Sequence, residues 1–115
     1  MDIEKLEVWQ KACRLSVSIY RELKALQDFG FKDQITRSGL SVPSNIAEGM
    51  ERTSSKEKLQ FLNIARASCA ELRTQILIGG EIDYIPTKTA ENWLAEAKVI
   101  SAMLSGLMKA INNKQ

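Results

Sequence analysis

The 115-residue chain contains no histidine. That absence removes the side chain that most often serves as a general base, activates a nucleophile or binds a transition metal near neutral pH. Two cysteines, Cys13 and Cys69, are too few for a structural zinc site. They lie far apart among helical apolar positions and read as buried free thiols. A disulfide framework would need more cysteines and a secreted setting. The 2 prolines and 6 glycines are too few for a disordered chain or a loop-rich all-β fold. No apolar run approaches the ~18 residues needed to span a bilayer, so no membrane partner is expected. The opening MDIEKLEVWQ has neither the basic start nor the apolar stretch of a signal peptide, and a cytoplasmic location is expected. No residue set calls for a cofactor. A carboxylate-based enzyme is compatible with the composition, but no acidic cluster points to one.

What is present is an ordinary globular composition, with 44% apolar residues. The length favours one domain, residues 1–115, with a core large enough to need no staples. The net charge is +2, from 16 basic and 14 acidic side chains. That excess is too small to announce a nucleic-acid binder by itself, so any basic surface must come from clustering.

Apolar residues recur at alternating steps of three and four, the mark of helices with one buried face. The predicted stripes are Leu6, Trp9, Cys13, Ser16, Tyr20 and Leu23; then Phe31, Ile35, Ser38, Val42, Asn45 and Gly49; then Leu62, Ala65, Cys69, Leu72, Ile76 and Gly79; then Trp93, Ala97, Ile100, Leu104, Leu107 and Ile111. Such steps suit helices packed at about 20° to one another. Gln27 to Gly30 separates the first two helices. Ser54 and Glu57 form a capping box that opens the third. Gly79-Gly80 offers a left-handed end to the third helix, and Thr87 an N-cap for the fourth. Each helix then spans roughly 18 to 26 residues, about 27 to 39 Å. Short links favour antiparallel neighbours, so the expected fold is all-α, an up-down-up-down four-helix bundle.

The second helix carries the residues least suited to a helix interior: Gly39, Pro43, Asn45, Gly49 and several serines. Pro43 has no amide hydrogen, so the carbonyl of residue 39 loses its helical partner and is crowded by the ring. Gly39 leaves the most room there, and the pair reads as a kink at Pro43. The alternative is a break at Ser41-Val42. Ser38 and Asn45 fall on the buried stripe, with Gln34 and Glu48 beside it. A buried polar group without a partner costs about 1–3 kcal/mol. These residues are expected to form a structural network with Ser68 and Glu71 of the third helix, with Arg37 available to a carboxylate.

The segment Lys32 to Leu72 resembles the 23S rRNA intervening-sequence protein family. The likeness rests on D-Q-x-x-R, V-P-S-N-I-A-E-G, Arg52, F-L-x-I-A and S-x-x-E-L. It extends from LEVWQKA (Leu6 to Ala12) to ISAML (Ile100 to Leu104). Gly39 stands where the pattern has alanine. The resemblance implies a four-helix bundle encoded within intervening sequences of bacterial 23S rRNA genes and elsewhere, assembled as a homopentamer shaped like a short barrel. It is similar in fold to the accessory variability determinant of diversity-generating retroelements, which binds nucleic acid and a reverse transcriptase.

On the first helix Lys11, Arg14 and Arg21 share a face with Ser18, and Lys24 is nearby. No acid occurs from Val8 through Arg21, so this basic stripe is the candidate site for phosphates. Aromatics lie mostly on the buried stripes, which argues against base readout. Val8, Leu15, Ile64 and Ile78 lie off the stripes, and Met103 and Met108 flank the fourth. They suit a contact between copies of the chain. The expected function is a non-enzymatic, oligomeric RNA-associated or adaptor protein, with RNA and a protein partner as candidate ligands. Two alternatives compete. One is a helix-turn-helix DNA-binding regulator built on SGLSVPSNIAEGMERTSSKEKLQFL, with Ser54 to Lys58 entering the groove. The other is an enzyme using Glu48, Arg37 or Glu71.

Overall fold

A computed structural model describes residues 2–114. A short 3-10 turn, Ile3–Lys5, precedes four α-helices: α1 (Glu7–Glu22), α2 (Phe29–Met50), α3 (Ser55–Glu81) and α4 (Thr87–Asn113). The bundle measures 46 × 21 × 20 Å. Its long axis matches the 27-residue lengths of α3 and α4 at about 1.5 Å per residue.

Each helix packs on its neighbours in the sequence, and α4 returns to α1. Contacts across α2 and α3 run in opposite numerical order: Ser38 meets Glu71, Ser41 meets Ser68, and Gly49 lies against Phe61. Contacts across α3 and α4 do the same, with Gly80 beside Ala90, Cys69 bonded to Ala97 and Arg66 to Ser105. Both pairs are therefore antiparallel. Helix α2 passes through Pro43 without interruption, so the break at Ser41-Val42 does not occur. Pro43 is buried there.

The predicted stripes of α2, α3 and α4 are largely the buried ones. All six predicted positions of α3 are buried. In α1 the buried face is instead Val8, Ala12, Leu15, Ser16 and Ile19. That is about a quarter turn from the predicted stripe, since each residue advances about 100°. Trp9 and Cys13 are half-buried and Tyr20 is 47% exposed. Helix α1 carries two adjacent apolar stripes, and the shape of the other three helices chooses between them. Val8 and Leu15 are thus core residues, not parts of a subunit contact.

Local chemistry explains the helix ends. Asp28 Oδ1 accepts from the Phe31 amide at 3.1 Å, so α2 starts at Phe29 and Gly30 lies within its first turn. Tyr84 donates to the other Asp28 oxygen at 2.8 Å and meets the Phe31 ring edge-on at 5.3 Å. This ties the α1–α2 link to the α3–α4 link. The Phe31 amide, then the Tyr84 hydroxyl, hold the Asp28 carboxyl below its ordinary value. Ser54 caps α3 by accepting from the Glu57 amide at 3.1 Å. Helix α4 begins at Thr87 after Pro86, one residue earlier than the predicted cap implies.

The glycine pair does not end α3, which runs on to Glu81; the left-handed residue is Asp83, with φ 62°. Gly79 instead serves packing. A Cβ on it would lie 2.6 Å from Ile85 Cδ1 and 3.0 Å from Phe31 Cζ. Its carbonyl accepts the amides of Tyr84 and Ile85. Gly79→Ala is therefore expected to lower stability by about 1 kcal/mol or more, because overpacking at about 1–3 kcal/mol outweighs a helix gain of about 0.5–1 kcal/mol. At Gly106 a Cβ would meet nothing within 4 Å, and the same substitution should raise stability by about 0.5–1 kcal/mol. Urea unfolding of the two variants checks the opposite signs.

Candidate nucleic-acid interface

Lys11, Arg14, Ser18 and Arg21 recur along α1 on the side turned away from Ala12, Leu15 and Ile19. Arg14, Arg21 and Lys24 are exposed, and Lys11 is half-buried. Ser18 anchors the stripe by accepting from the indole of Trp93 on α4 at 3.0 Å. Lys11 and Arg14 line a shallow groove between α1 and α4 that also contains Asn92 and Glu96. Arg21 lies further along, towards α2, in a groove with Cys13, Val17, Tyr20, Leu40 and Pro43.

The ion pairs among the described residues are Arg37–Asp33 at 2.9 Å and Arg52–Glu48 at 2.5 Å. None of the four stripe cations takes part in either. Nor does any of their side-chain nitrogens form a hydrogen bond among the described residues. The Lys24 carbonyl does accept, from the Lys32 ammonium at 3.1 Å. Four cations without partners on a water-facing surface can neutralise phosphates without first breaking an internal pair. Nearby Arg14 favours the Cys13 thiolate, but burial outweighs it and pushes that thiol up. Cys69 is also pushed up by burial, and its thiol donates to the Ala97 carbonyl at 3.2 Å.

The polar residues of α2 fall into two groups. One is a seam against α3. Ser38 is buried and reaches Glu71 Oε1 at 2.5 Å, with the Gln34 carbonyl at 3.0 Å. A hydroxyl has one proton, and the carboxylate is the stronger acceptor. Ser41 and Ser68 share a bond at 2.9 Å, and Asn45 donates to the Ser41 carbonyl at 2.8 Å and hydroxyl at 2.9 Å. Ser41 was not among the expected network residues; its place one turn before Asn45 is the signal that could have found it. Gln75 also lies along this side of α3, and its Oε1 is buried with no hydrogen-bond partner among the described residues.

The second group faces outward. Arg37 pairs with Asp33, and Glu48 pairs with Arg52, whose guanidinium lies 4.6 Å over the Phe61 ring. Gln34 enters the seam through its carbonyl alone, its side chain being exposed. Arg37, Glu48 and Glu71, the three side chains considered for catalysis, each have a separate partner and do not converge. The helix-turn-helix alternative fails on geometry. Its two helices should cross at about 90–120°, whereas α2 and α3 lie antiparallel along their length. Leu62 and Ala65, on the helix that would read bases, are buried core.

Among the described residues no helix is long and apolar enough to cross a membrane. Exposed apolar side chains include Phe29, Leu77 and Val99 singly, and two groups. Val17, Tyr20 and Leu40 flank the α1–α2 groove, each 45–49% exposed. Ile64 and Ile78 on an outer face of α3, with Ile82 just past its end, are each 44–50% exposed.

Four α-helices with short links and a serine-rich second helix define a class of small all-α bundles. Within that class the chain belongs to the 23S rRNA-intervening sequence protein family, whose model matches residues 4–106. A similar solved structure is a protein of unknown function from the S23 ribosomal protein family of Bacteroides thetaiotaomicron. It has 26% identity and a TM-score of 0.83, and the match covers 89% of this chain and 98% of the other. No curated protein matches.

The seam makes a stability prediction. Ser38→Ala should cost about 1 kcal/mol, with Glu71 regaining water at the bundle surface. A double-mutant cycle with Glu71→Gln should give a coupling of about 0.5 kcal/mol or more. Additive effects would mean that the bond does not contribute.

Proposed function

We propose that this protein is a non-enzymatic homo-oligomer that holds RNA against the basic side chains of α1, as an adaptor for RNA or for a protein partner acting on it. The observation that carries this reading is a set of four cations, Lys11, Arg14 and Arg21 of α1 and Lys24 just beyond its end, none with an ion-pair partner among the described residues. Phosphate contacts of this kind provide affinity without sequence selection. A single stripe binds weakly, and repetition around a ring raises its avidity without new contacts.

Two groups of exposed apolar residues support the oligomer. A ring needs two different surfaces that meet head to tail. The α1–α2 edge with Val17 and Leu40 supplies one. The isoleucine row of α3 supplies the other. A homopentamer is the assembly that the family resemblance implies. The expected site of action is the bacterial cytoplasm.

Titration with single-stranded RNA at two salt concentrations tests the reading. Affinity should fall steeply with salt, each neutralised phosphate contributing about −0.7 to the logarithmic slope. Replacing Lys11, Arg14 and Arg21 together with alanine should weaken binding and flatten that slope. No binding at low salt, or binding unaffected by the triple substitution, would contradict it.

A further inference from the structure

We propose that the groove formed by Tyr20, Lys24, Phe29, Lys32 and Thr36 is a subsite for one unstacked nucleotide of single-stranded RNA. The base lies against Phe29 and Tyr20, and the phosphate lies between the ammonium groups of Lys24 and Lys32. The proposal rests on the RNA-binding reading above and specifies where a base is taken up.

The groove lies where the end of α1 meets the start of α2 and has a volume of about 400 Å³, within the range of small-ligand sites. Its two aromatic rings are unusual for this chain, which places Trp93 fully in the core. Phe29 is 67% exposed and Tyr20 is 47% exposed. Phe29 is the first residue of α2, directly after the Asp28 cap, so its backbone is fixed before any ligand arrives. Stacking on such rings tolerates any base, because every base has a π-face.

The charges around the rings are arranged for an anion. Lys32 Nζ is held by the Lys24 carbonyl at 3.1 Å and lies 5.2 Å from the Phe29 ring centre. The Lys24 ammonium has no partner among the described residues. The carboxylate in the groove, Asp33, already pairs with Arg37 at 2.9 Å. It therefore leaves the two ammonium groups uncompensated. An apolar side chain from a second copy would cover the rings but strip water from those ammonium groups without replacing it. A nucleotide satisfies the rings and the charges together. Tyr20 also borders the apolar α1–α2 groove, so the subsite adjoins the proposed subunit contact.

The test titrates the full chain with a labelled short oligoadenylate and with an abasic strand of the same length. Phe29→Ala should weaken oligoadenylate binding roughly 5- to 150-fold, the range for losing one stacked base, and leave abasic binding unchanged. Phe29→Trp should restore it. Lys24→Gln with Lys32→Gln should weaken both strands and flatten the salt dependence. The subsite is overturned if Phe29→Ala affects both strands equally or neither, or if it lowers the solution mass instead, which would assign the ring to a subunit contact. A wild-type chain that binds neither strand at low salt overturns the RNA reading as well. A wild type that binds both strands equally through Lys11 and Arg14 removes the subsite alone.

Discussion

The antiparallel contact between α2 and α3 is the constraint on which the rest of the bundle depends. Beside its apolar residues it carries a row of small and polar side chains. Ser41 meets Ser68 at 2.9 Å, Ser38 meets Glu71 at 2.5 Å, and a Cβ at Gly49 would come within 3.3 Å of the Lys58 carbonyl. Apolar packing alone tolerates a shift of one helical turn better than such a seam does. A slip would separate each bonded pair, at about 1–3 kcal/mol for every buried group left without a partner. The register is therefore fixed by polarity, and the apolar residues Ile35, Val42, Ile46, Leu62, Ala65 and Leu72 fill the core around it.

That fixed pair determines what α1 can bury. The groove it presents with α4 accepts Val8, Ala12, Leu15 and Ile19. Ile19 Cδ1 would lie 3.3 Å from a Cβ at Gly39, so this glycine brings α1 close as well as leaving room opposite Pro43. The second apolar stripe of α1 has no place inside. Val17 and Tyr20 remain at the surface beside Leu40 of α2, flanked by the basic residues of the same helix. The proposed subunit contact arises from this surplus: one helix offers more apolar surface than its own bundle can cover.

Much of the fold is legible in the sequence because the dominant apolar stripe of α2, α3 and α4 is the one each helix buries. The buried set of α3, from Leu62 to Gly79, follows directly from its spacing. In α1, periodicity cannot choose between two stripes of equal period, and the large Trp9 and Tyr20 draw attention to the wrong one. Packing decides by shape, which spacing does not encode. The third helix passes its glycines because Gly79 and Gly80 are needed for close approach to Ile85 and Ala90, not for a turn. The basic stripe is readable residue by residue. The freedom of its cations from ion pairs is not, since that depends on which carboxylates of other elements come near. The same holds for Phe29: its exposure follows from the Asp28 cap, which sets where α2 begins.

The central claim is that the uncovered α1–α2 edge and the isoleucine row of α3 meet between copies of the chain. Solution mass by light scattering at micromolar concentration tests it most directly. The account predicts a discrete species several times the 12.9 kDa chain mass, reduced by a charged substitution at Leu40 or Ile78. A monomer at that concentration would contradict it.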